Sequence, residues 1–346
     1  MRYSKVHLDA AGYELGPVVV TSAELEERLQ PLYRALHISA GQLESLTGIR
    51  ERRWWEEGHR LSDGAVAAAR KALARSAVRP PDLEALIYAG VCREQFEPAT
   101  ACRVAAELGV SGGAHIYDIS NACLGVINGI LDIANRIELG QIRAGMVVSC
   151  ESAREINDIM IKKMLENPGM DIFKYSLATL TGGSGAVAVI LTDGSFAGGR
   201  RRLLGGVAQA APEHHRLCKW GIDKKQPAAL SEYMSTDSVS VLENGVRLGT
   251  ATWKALLKNL EWTAQSVDKV ICHQVGSGHK DSILKTLGLA PEKDFSTFEY
   301  LGNIGTVSLP LTAALAEERE FLAPGDKVAF MGIGSGLNCM MLGWEW

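Results

Sequence analysis

The stretch AAELGVSGGAHIYDISNACLG, residues 105–125, decides the fold because LKTLGLAPEKDFSTFEYLGNIG, residues 284–305, repeats its pattern. Two further pairs of segments repeat in the same order, again about 180 residues apart. They are DLEALIYAG (82–90) with SVDKVICHQ (266–274), and AGMVVSCES (144–152) with DKVAFMGIGSG (326–336). This period is far longer than that of solenoid repeats, so it indicates a duplicated α/β unit.

The segments inside the first unit have strand and helix patterns. Leu86–Tyr88, Met146–Ser149 and Ala186–Leu191 are short apolar runs, typical of strands buried on both faces. The residues after Cys123 are apolar at helical spacing on nearly every side, which predicts a buried helix, and Gly140 is a suitable stop.

These patterns predict two similar halves, each with helices on both faces of a mainly parallel sheet. We expect the first half to span residues 1–178 and to carry Cys123, and the second to span residues 179–346. Residues 152–178 and 196–235 break the repeat and are expected to be inserted loops and helices.

Composition restricts the class of protein. The 346 residues are 47% hydrophobic and 22% charged, and the net charge of −4 offers no basis for nucleic-acid binding. No apolar run is long enough to cross a bilayer, and the N-terminus lacks the apolar segment of a signal peptide. Seven cysteines without paired spacing argue against a disulfide framework, so we expect a cytoplasmic protein with reduced thiols.

Cys123 lies where the predicted strand turns into the buried helix. A helix N-terminus favours thiolate, and its free N–H groups can hold an oxyanion on a thioester carbonyl. The alternative is that Cys123 packs as a small apolar residue, as buried cysteines commonly do.

The second unit supplies two possible partners. His273 ends the apolar run KVICH, at the strand end where ligands bind in α/β sheets. Asn303 stands at the position equivalent to Cys123, so pseudo-symmetry predicts that the two helix starts meet. A thiol nucleophile and two hydrogen-bonding groups would then converge, although each of the last two is also an ordinary structural residue.

The motifs NACLG, HQVG, GNIGTVSLP and GIGSGLN resemble those of the thiolase-like condensing enzymes over essentially the whole chain. TGIRERR (47–53) adds a likeness to the β-ketoacyl-acyl carrier protein synthase III branch, and within it the chain looks most like the OleA-type enzymes. The resemblance implies a homodimer of five-layered αβαβα subunits, each built from two pseudo-repeated halves. It also implies that Cys123 carries the acyl group and that His273 and Asn303 complete a triad.

Two positions depart from the synthase III pattern. Gln42 and Leu46 stand where those enzymes carry the Trp and Arg that bind the CoA nucleotide. Glu97, in QFEP, replaces a Phe that reaches into the neighbouring subunit's site, and it resembles the candidate base of OleA-type enzymes. A donor that is not malonyl needs such a base because no decarboxylation generates its carbanion. A surface carboxylate is the alternative interpretation of Glu97.

Three further residues are weaker candidates. GIGSG ends too close to the C-terminus for a nucleotide-binding βαβ unit, so Ser335 or Gly336 is expected to offer a backbone N–H to the oxyanion hole, together with Cys123. Arg50 is a candidate contact for an acyl-carrier phosphate.

The segment EHHRLC contains three possible metal ligands, His214, His215 and Cys218. No carboxylate stands at metal spacing beside them, so no metal site is expected.

The sequence therefore predicts an acyltransferase that forms a β-ketoacyl product by Claisen condensation through an acyl-cysteine, from two acyl-CoAs. It is expected to need no cofactor, with acyl-CoA or an acyl-carrier protein delivering the substrate. Two alternatives stay within the enzyme class: a 3-oxoacyl-acyl carrier protein synthase III with a malonyl donor, and acyl transfer to another nucleophile. A third alternative is a non-catalytic subunit that measures chain length in a heterodimer.

Overall fold

A computed structural model describes residues 1–196, 201–222 and 231–346. Within these ranges the strands, numbered in chain order, are β1 (His7–Leu15), β2 (Val18–Thr21), β3 (Glu51–Trp54), β4 (Ala85–Ala89), β5 (His115–Ile119), β6 (Ala144–Glu151), β7 (Gly185–Thr192), β8 (Arg201–Ala210), β9 (Cys218–Ile222), β10 (Glu232–Thr236), β11 (Lys269–Cys272), β12 (Lys327–Gly334) and β13 (Asn338–Glu345). The α-helices are α1 (Ser22–Arg28), α2 (Gln30–Ala35), α3 (Gln42–Thr47), α4 (Leu61–Leu73), α5 (Thr100–Leu108), α6 (Gly125–Glu138), α7 (Arg154–Glu166), α8 (Met170–Leu180), α9 (Ser238–Leu260), α10 (Ser277–Leu287), α11 (Phe298–Leu301) and α12 (Ser308–Glu318).

The main sheet shows the duplication directly. Its strand order is β11-β12-β13-β8-β1-β7-β6-β4-β5, so β5-β4-β6-β7-β1 is followed by a mirrored series from the second half. The two series join where His7 and Leu8 of β1 pair with Arg202 and Arg201 of β8. Asp294 bridges Val270 in parallel, as β5 pairs with β4 in the first half.

Five layers follow from which side chains each core cluster contains. α4 and α5 pack on the outer face of the first series, and α9 and α10 pack on the outer face of the second. α6 and α12 share a central core with strands of both series, and almost every residue of α12 up to Ala316 is buried. The αβαβα order that the family resemblance implied is therefore confirmed.

The predicted strands lie inside β4, β6 and β7, and the helix predicted after Cys123 is α6. Gly140, just beyond α6, has a φ of 69°. This is the left-handed conformation that glycine adopts most readily at a helix end, so the predicted stop is confirmed.

The prediction of a mainly parallel sheet is wrong. β4 pairs in parallel with β5 and β6, and β11 pairs in parallel with β12, but the remaining pairs of the main sheet are antiparallel. The reason is clearest at β12 and β13, which only residues 335–337 connect. A connection that short forms a hairpin, because parallel strands need a crossover of roughly a dozen residues or more.

The boundary at residue 178 stays a prediction. β7 lies beyond it in sequence, yet it pairs with β1 and β6 of the first half. We therefore propose that the two halves divide after Thr192 instead.

The interpretation of residues 196–235 as an insertion is partly wrong, because β8 belongs to the main sheet. The segment RRLLGGVAQA hides this role, since it begins with two arginines and contains a glycine pair. Residues 197–200 and 223–230 lie outside the described part of the chain. β9 and β10 form a separate hairpin, and α7 and α8 fill most of the first inserted stretch.

Among the described helices, none combines the length and apolar character required to cross a membrane.

Candidate active site

One cavity of about 590 Å³ lies between the two halves, and its wall is mostly apolar. Cys123 from the first half and His273 and Asn303 from the second all line it. The structure thus brings together the three residues that the sequence analysis paired by pseudo-symmetry. The hairpin of β9 and β10 and the first half of α9 form much of the remaining wall.

The turn that presents Cys123 is constrained on both sides. Ala122 has a φ of 45°, a left-handed conformation that costs a non-glycine residue about 1–2 kcal/mol. Asn121, on the same turn, accepts a hydrogen bond from Nδ2 of Asn338 at 3.2 Å and donates one to Asn128 at 3.1 Å. Because Asn338 begins β13, the second half helps to hold the nucleophile's turn.

The thiol of Cys123 is not activated in the way expected from its position before α6. Burial raises the pKa of the Cys123 thiol to about 12, with further contributions from the nearby Cys218 and Glu151. Desolvation of a thiolate in this apolar wall therefore outweighs the helix N-terminus. The expectation that the resting residue favours thiolate is wrong, and Cys123 carries its proton at neutral pH.

His273 follows β11 and is held through its backbone. Its N–H donates to the Met331 carbonyl at 3.0 Å, while the neighbouring Gln274 bonds Cys272, Thr297 and Phe298. Burial lowers the pKa of His273 to about 4, and His279 adds to this effect. Nδ1 of His273 is buried without a partner among the described residues. The imidazole is therefore neutral at pH 7.

Asn303 is positioned by three hydrogen bonds. Its N–H donates to Thr181 at 2.9 Å, its carbonyl accepts from Gly183 at 2.9 Å, and its Oδ1 accepts from Gly305 at 3.0 Å. With the oxygen engaged, the Nδ2 amide is the side-chain group left to donate into the cavity. Gly302 is required beside it, because a Cβ there would lie 2.5 Å from the Thr181 carbonyl.

The start of α6 is tied to the segment that carries Asn303. The N–H of Val126 donates to Oγ1 of Thr306 at 2.7 Å, across 180 residues of sequence. This bond satisfies one of the free N–H groups of the first helical turn. It also brings the helix that follows Cys123 against the turn that follows Asn303, as the repeat predicted.

Glu151 is a cavity residue that the sequence analysis missed. It ends β6, is 4% exposed, and accepts hydrogen bonds from the backbone of Val91 at 2.9 Å and Cys92 at 3.0 Å. Burial raises the pKa of its carboxyl group. The available signal was a carboxylate at the end of a fully buried apolar strand.

Glu97 does not reach the cavity of its own chain. It lies on an exposed loop after β4, next to Phe96, whose side chain is 92% exposed. Arg50 is exposed just before β3 and is also absent from the cavity wall. Neither residue is therefore brought to Cys123 by the fold of one chain.

The glycine-rich end of β12 approaches Cys123 closely. Ser335 lines the cavity, whereas Gly336 lies in the β12–β13 turn outside its wall. Gly334, which was not predicted, lies close to Cys123: a Cβ built there would lie 3.4 Å from the Cys123 nitrogen. The region is a hairpin turn rather than a nucleotide-binding loop.

The described residues contain no group of three or more His, Cys, Asp or Glu side chains suited to a metal ion. Nε2 of His214 lies 3.1 Å from Arg247, and Sγ of Cys218 accepts a hydrogen bond from Thr236 at 3.3 Å. Cys218 lines the cavity with Cys123.

The sequence of this chain is similar to those of known proteins. The sequence model described as 3-oxoacyl-[acyl-carrier-protein (ACP)] synthase III C terminal matches residues 257–346. The chain is 58% identical to the acyl-CoA:acyl-CoA alkyltransferase of Shewanella oneidensis, with 100% of both chains covered. It is 35% identical to the protein of the same name from Xanthomonas campestris pv. campestris, with 98% of this chain and 96% of the relative covered.

A solved structure shows the same fold. A cysteine-to-serine variant of Xanthomonas campestris OleA, crystallised with bound lauric acid and lauroyl-CoA, matches with a TM-score of 0.92 at 33% identity. The match covers 99% of this chain and 100% of that one.

Proposed function

Because the chain belongs to the family of acyl-CoA:acyl-CoA alkyltransferases, we propose that it joins two acyl-CoA molecules head to head by Claisen condensation. The observation that carries this proposal is the convergence of Cys123, His273 and Asn303 on one apolar cavity. The products are one 2-alkyl-3-ketoacyl-CoA and one free CoA.

Acyl loading is the first step. The sulfur of Cys123 attacks the thioester carbonyl of the first acyl-CoA, a C–S bond to cysteine forms, and the C–S bond to CoA breaks. Because burial keeps Cys123 protonated, its proton must leave as the sulfur attacks. CoA departs as a thiol, so no net proton is gained or lost.

Condensation is the second step. The second acyl-CoA loses an α-proton to a base, and its enolate attacks the acyl-cysteine carbonyl. The C–C bond forms, the C–S bond to Cys123 breaks, and the departing cysteine thiolate takes up the proton that the base removed. His273, as a neutral imidazole, and the Nδ2 of Asn303 donate hydrogen bonds to the thioester oxygen as it gains negative charge. The backbone N–H of Cys123, with the Gly334–Ser335 segment beside it, serves the oxyanion of the acyl-cysteine.

The base in this proposal is Glu97 of the partner subunit in a homodimer. Glu97 and Phe96 project from their own chain rather than into its cavity, which suits a loop that enters a second subunit. Glu151 lies in the cavity, but both of its oxygens already accept backbone hydrogen bonds, which suits it to holding the Val91–Cys92 segment.

The proposal requires no cofactor, because cysteine, hydrogen-bond donors and a carboxylate supply all the proton and acyl transfers. It places the enzyme in the cytoplasm, where its seven free cysteines stay reduced. CoA thioesters are the substrates, and an acyl-carrier protein is an alternative carrier that presents the same thioester.

A donor panel tests the proposal. The protein is incubated with acyl-CoA alone, with acyl-CoA plus malonyl-CoA, and with the acyl-carrier thioester, and the protein and products are identified by mass. We expect an acyl adduct that Cys123→Ser abolishes and a ketoacyl product from acyl-CoA alone. A product that forms only with malonyl-CoA would identify a synthase III, and a protein without any adduct would be a non-catalytic subunit.

A further inference from the structure

One wall of the cavity is a single face of α9. Val241, Leu242, Gly245, Val246 and Gly249 all line the cavity. Residues four apart in a helix lie above one another on the same face, so Gly245 and Gly249 are consecutive steps along this wall. Each step of four residues advances about 6 Å along the helix, the length of several methylene groups.

At both glycines, the atoms nearest to an added Cβ belong to side chains and not to backbone. Glycine inside a helix costs about 0.5–1 kcal/mol relative to alanine, so two on one face weaken α9. A Cβ at Gly245 would lie 3.0 Å from Cδ1 of Ile333, and one at Gly249 would lie 3.2 Å from Cδ1 of Ile283. Both contacts are with flexible side-chain tips. By contrast, at Gly183 a Cβ would lie 2.0 Å from a backbone carbonyl.

The cavity does not continue past Gly249 along this face of α9. Trp253 is 3% exposed and does not line the cavity. It belongs to the same buried cluster as Cys339 and Met341, which do line the cavity. The open wall at Gly245 and Gly249 therefore ends against packed core one turn later.

We propose that Gly245 and Gly249 set the length of the acyl chain that the enzyme accepts. This inference rests on the proposed function, since the chain attached to Cys123 is what the cavity measures. Alkyl carbons lie in the part of the cavity that Gly245, Gly249, Ile283 and Ile333 line together. A side chain added at either glycine takes the place of the terminal methylenes.

The test compares Gly249→Leu with Ala251→Leu, which adds a larger side chain at an exposed position of the same helix. Both variants and the unmodified protein receive saturated acyl-CoAs from octanoyl to stearoyl, and loading of Cys123 is followed by intact mass. We expect Gly249→Leu to reduce the loading of the longest acyl chains by roughly fourfold for each methylene that no longer fits. Short chains should load normally. Ala251→Leu should keep the original profile.

A smaller substitution at the same position controls for misfolding. Gly249→Ala adds one methyl group and raises helix propensity, so it should keep or increase the melting temperature while shortening the preferred chain. An unchanged chain-length profile in well-folded Gly249→Leu and Gly249→Ala would overturn the inference.

A binding measurement separates this inference from the proposed function. Calorimetric binding of free fatty acids over the same length series requires no acyl transfer. If no acyl-CoA loads Cys123, the proposed function fails, yet a length limit that shortens in Gly249→Leu still supports the inference. If loading occurs and both length profiles ignore the substitutions, only the inference fails.

Discussion

Cys123 lines the cavity, but its surroundings favour the protonated thiol. Its turn is held by Asn121, and the left-handed Ala122 points the chain into α6, so the sulfur faces the cavity. The same apolar wall that suits an alkyl chain disfavours thiolate. Reactivity at this residue therefore depends on removing a proton during attack rather than on a thiolate already present.

The first prediction follows from the pKa of Cys123, which is raised to about 12. Below that pKa the thiolate fraction rises about tenfold per pH unit, so alkylation by iodoacetamide should keep accelerating from about pH 7 to pH 10. Peptide mapping by mass gives the rate at Cys123, and Cys102 is an exposed reference thiol in the same sample. A rate at Cys123 that levels off near neutral pH would show an activated thiolate instead.

The second prediction separates the two chemical steps. His273→Ala and Asn303→Ala should slow condensation by about 100- to 1000-fold, because each removes a donor to the enolate oxygen. Loading of Cys123 should be much less affected, since the enolate forms only after the cysteine is acylated. Single-turnover mass measurements resolve the two rates. Equal slowing of both steps would assign these residues to acylation or to structure.

A pH profile adds to this test for His273. Since burial lowers the pKa of His273 to about 4, its imidazole is neutral above that pH and becomes a cation only below it. Condensation should therefore show no inflection from this residue between about pH 6 and pH 8. An inflection in that range that disappears in His273→Ala would contradict the assignment of a neutral donor.

α6 lies unusually close to β6, and two glycines permit this approach. A Cβ at Gly129 would lie 2.8 Å from Cγ1 of Val147, and one at Gly145 would lie 2.9 Å from Cγ2 of Ile133. The helix and the strand thus each lack a side chain where the other projects one. The position of Cys123 depends on this fit, because Cys123 directly precedes α6.

The third prediction tests that fit. Gly129→Ala should destabilise the protein by about 1–3 kcal/mol through overpacking against Val147, and it should slow acyl loading by displacing the helix start. Gly278→Ala is the matched control, because that glycine is also helical and has no atom within 4 Å of the added methyl. Urea unfolding should show a slight gain in stability for the control. A Gly129→Ala protein as stable as the control would mean that the helix is free to shift.

In the described part of the chain, the cavity with Cys123 lies between the two halves, and the loop with Phe96 and Glu97 does not line it. Glu97 and Phe96 are exposed in a single chain, while the proposed chemistry requires a carboxylate near the second acyl-CoA. In the proposed homodimer, the loop of each chain would enter the site of its partner. Each active site would then take its nucleophile from one chain and its base from the other.

The fourth prediction uses this exchange. Glu97→Gln keeps the side chain's size and removes the base, so it should leave Cys123 loading intact and suppress condensation of two plain acyl-CoAs. Condensation with malonyl-CoA, if accepted, should be much less affected because decarboxylation forms its carbanion.

Mixed dimers decide where the base comes from. Neither Cys123→Ala nor Glu97→Gln homodimers should condense acyl-CoAs, but a mixture of the two chains should recover one working site per heterodimer. Absence of recovery, in a mixture whose heterodimers are seen by native mass spectrometry, would place Glu97 in the site of its own chain or outside the chemistry.

The sequence by itself determined the duplication, the buried strands β4, β6 and β7, the helix α6 and the convergence of Cys123, His273 and Asn303 on one cavity. These depend on local periodicity and on the order of repeated segments, which survive without coordinates. The sequence did not determine the strand directions, and the prediction of a mainly parallel sheet was wrong. Periodicity reports which faces are buried but not which way a neighbouring strand runs.

Only the tertiary structure decided the electrostatics and the shape of the site. The helix start after Cys123 predicted a thiolate, but burial among residues of both halves raises the thiol's pKa instead. Glu151 was missed because its two hydrogen-bond donors are about 60 residues away. The cavity wall that Gly245 and Gly249 share with Ile283 and Ile333 is formed by residues from three separate elements. Desolvation and cavity shape are sums over distant side chains, so no local stretch of sequence contains them.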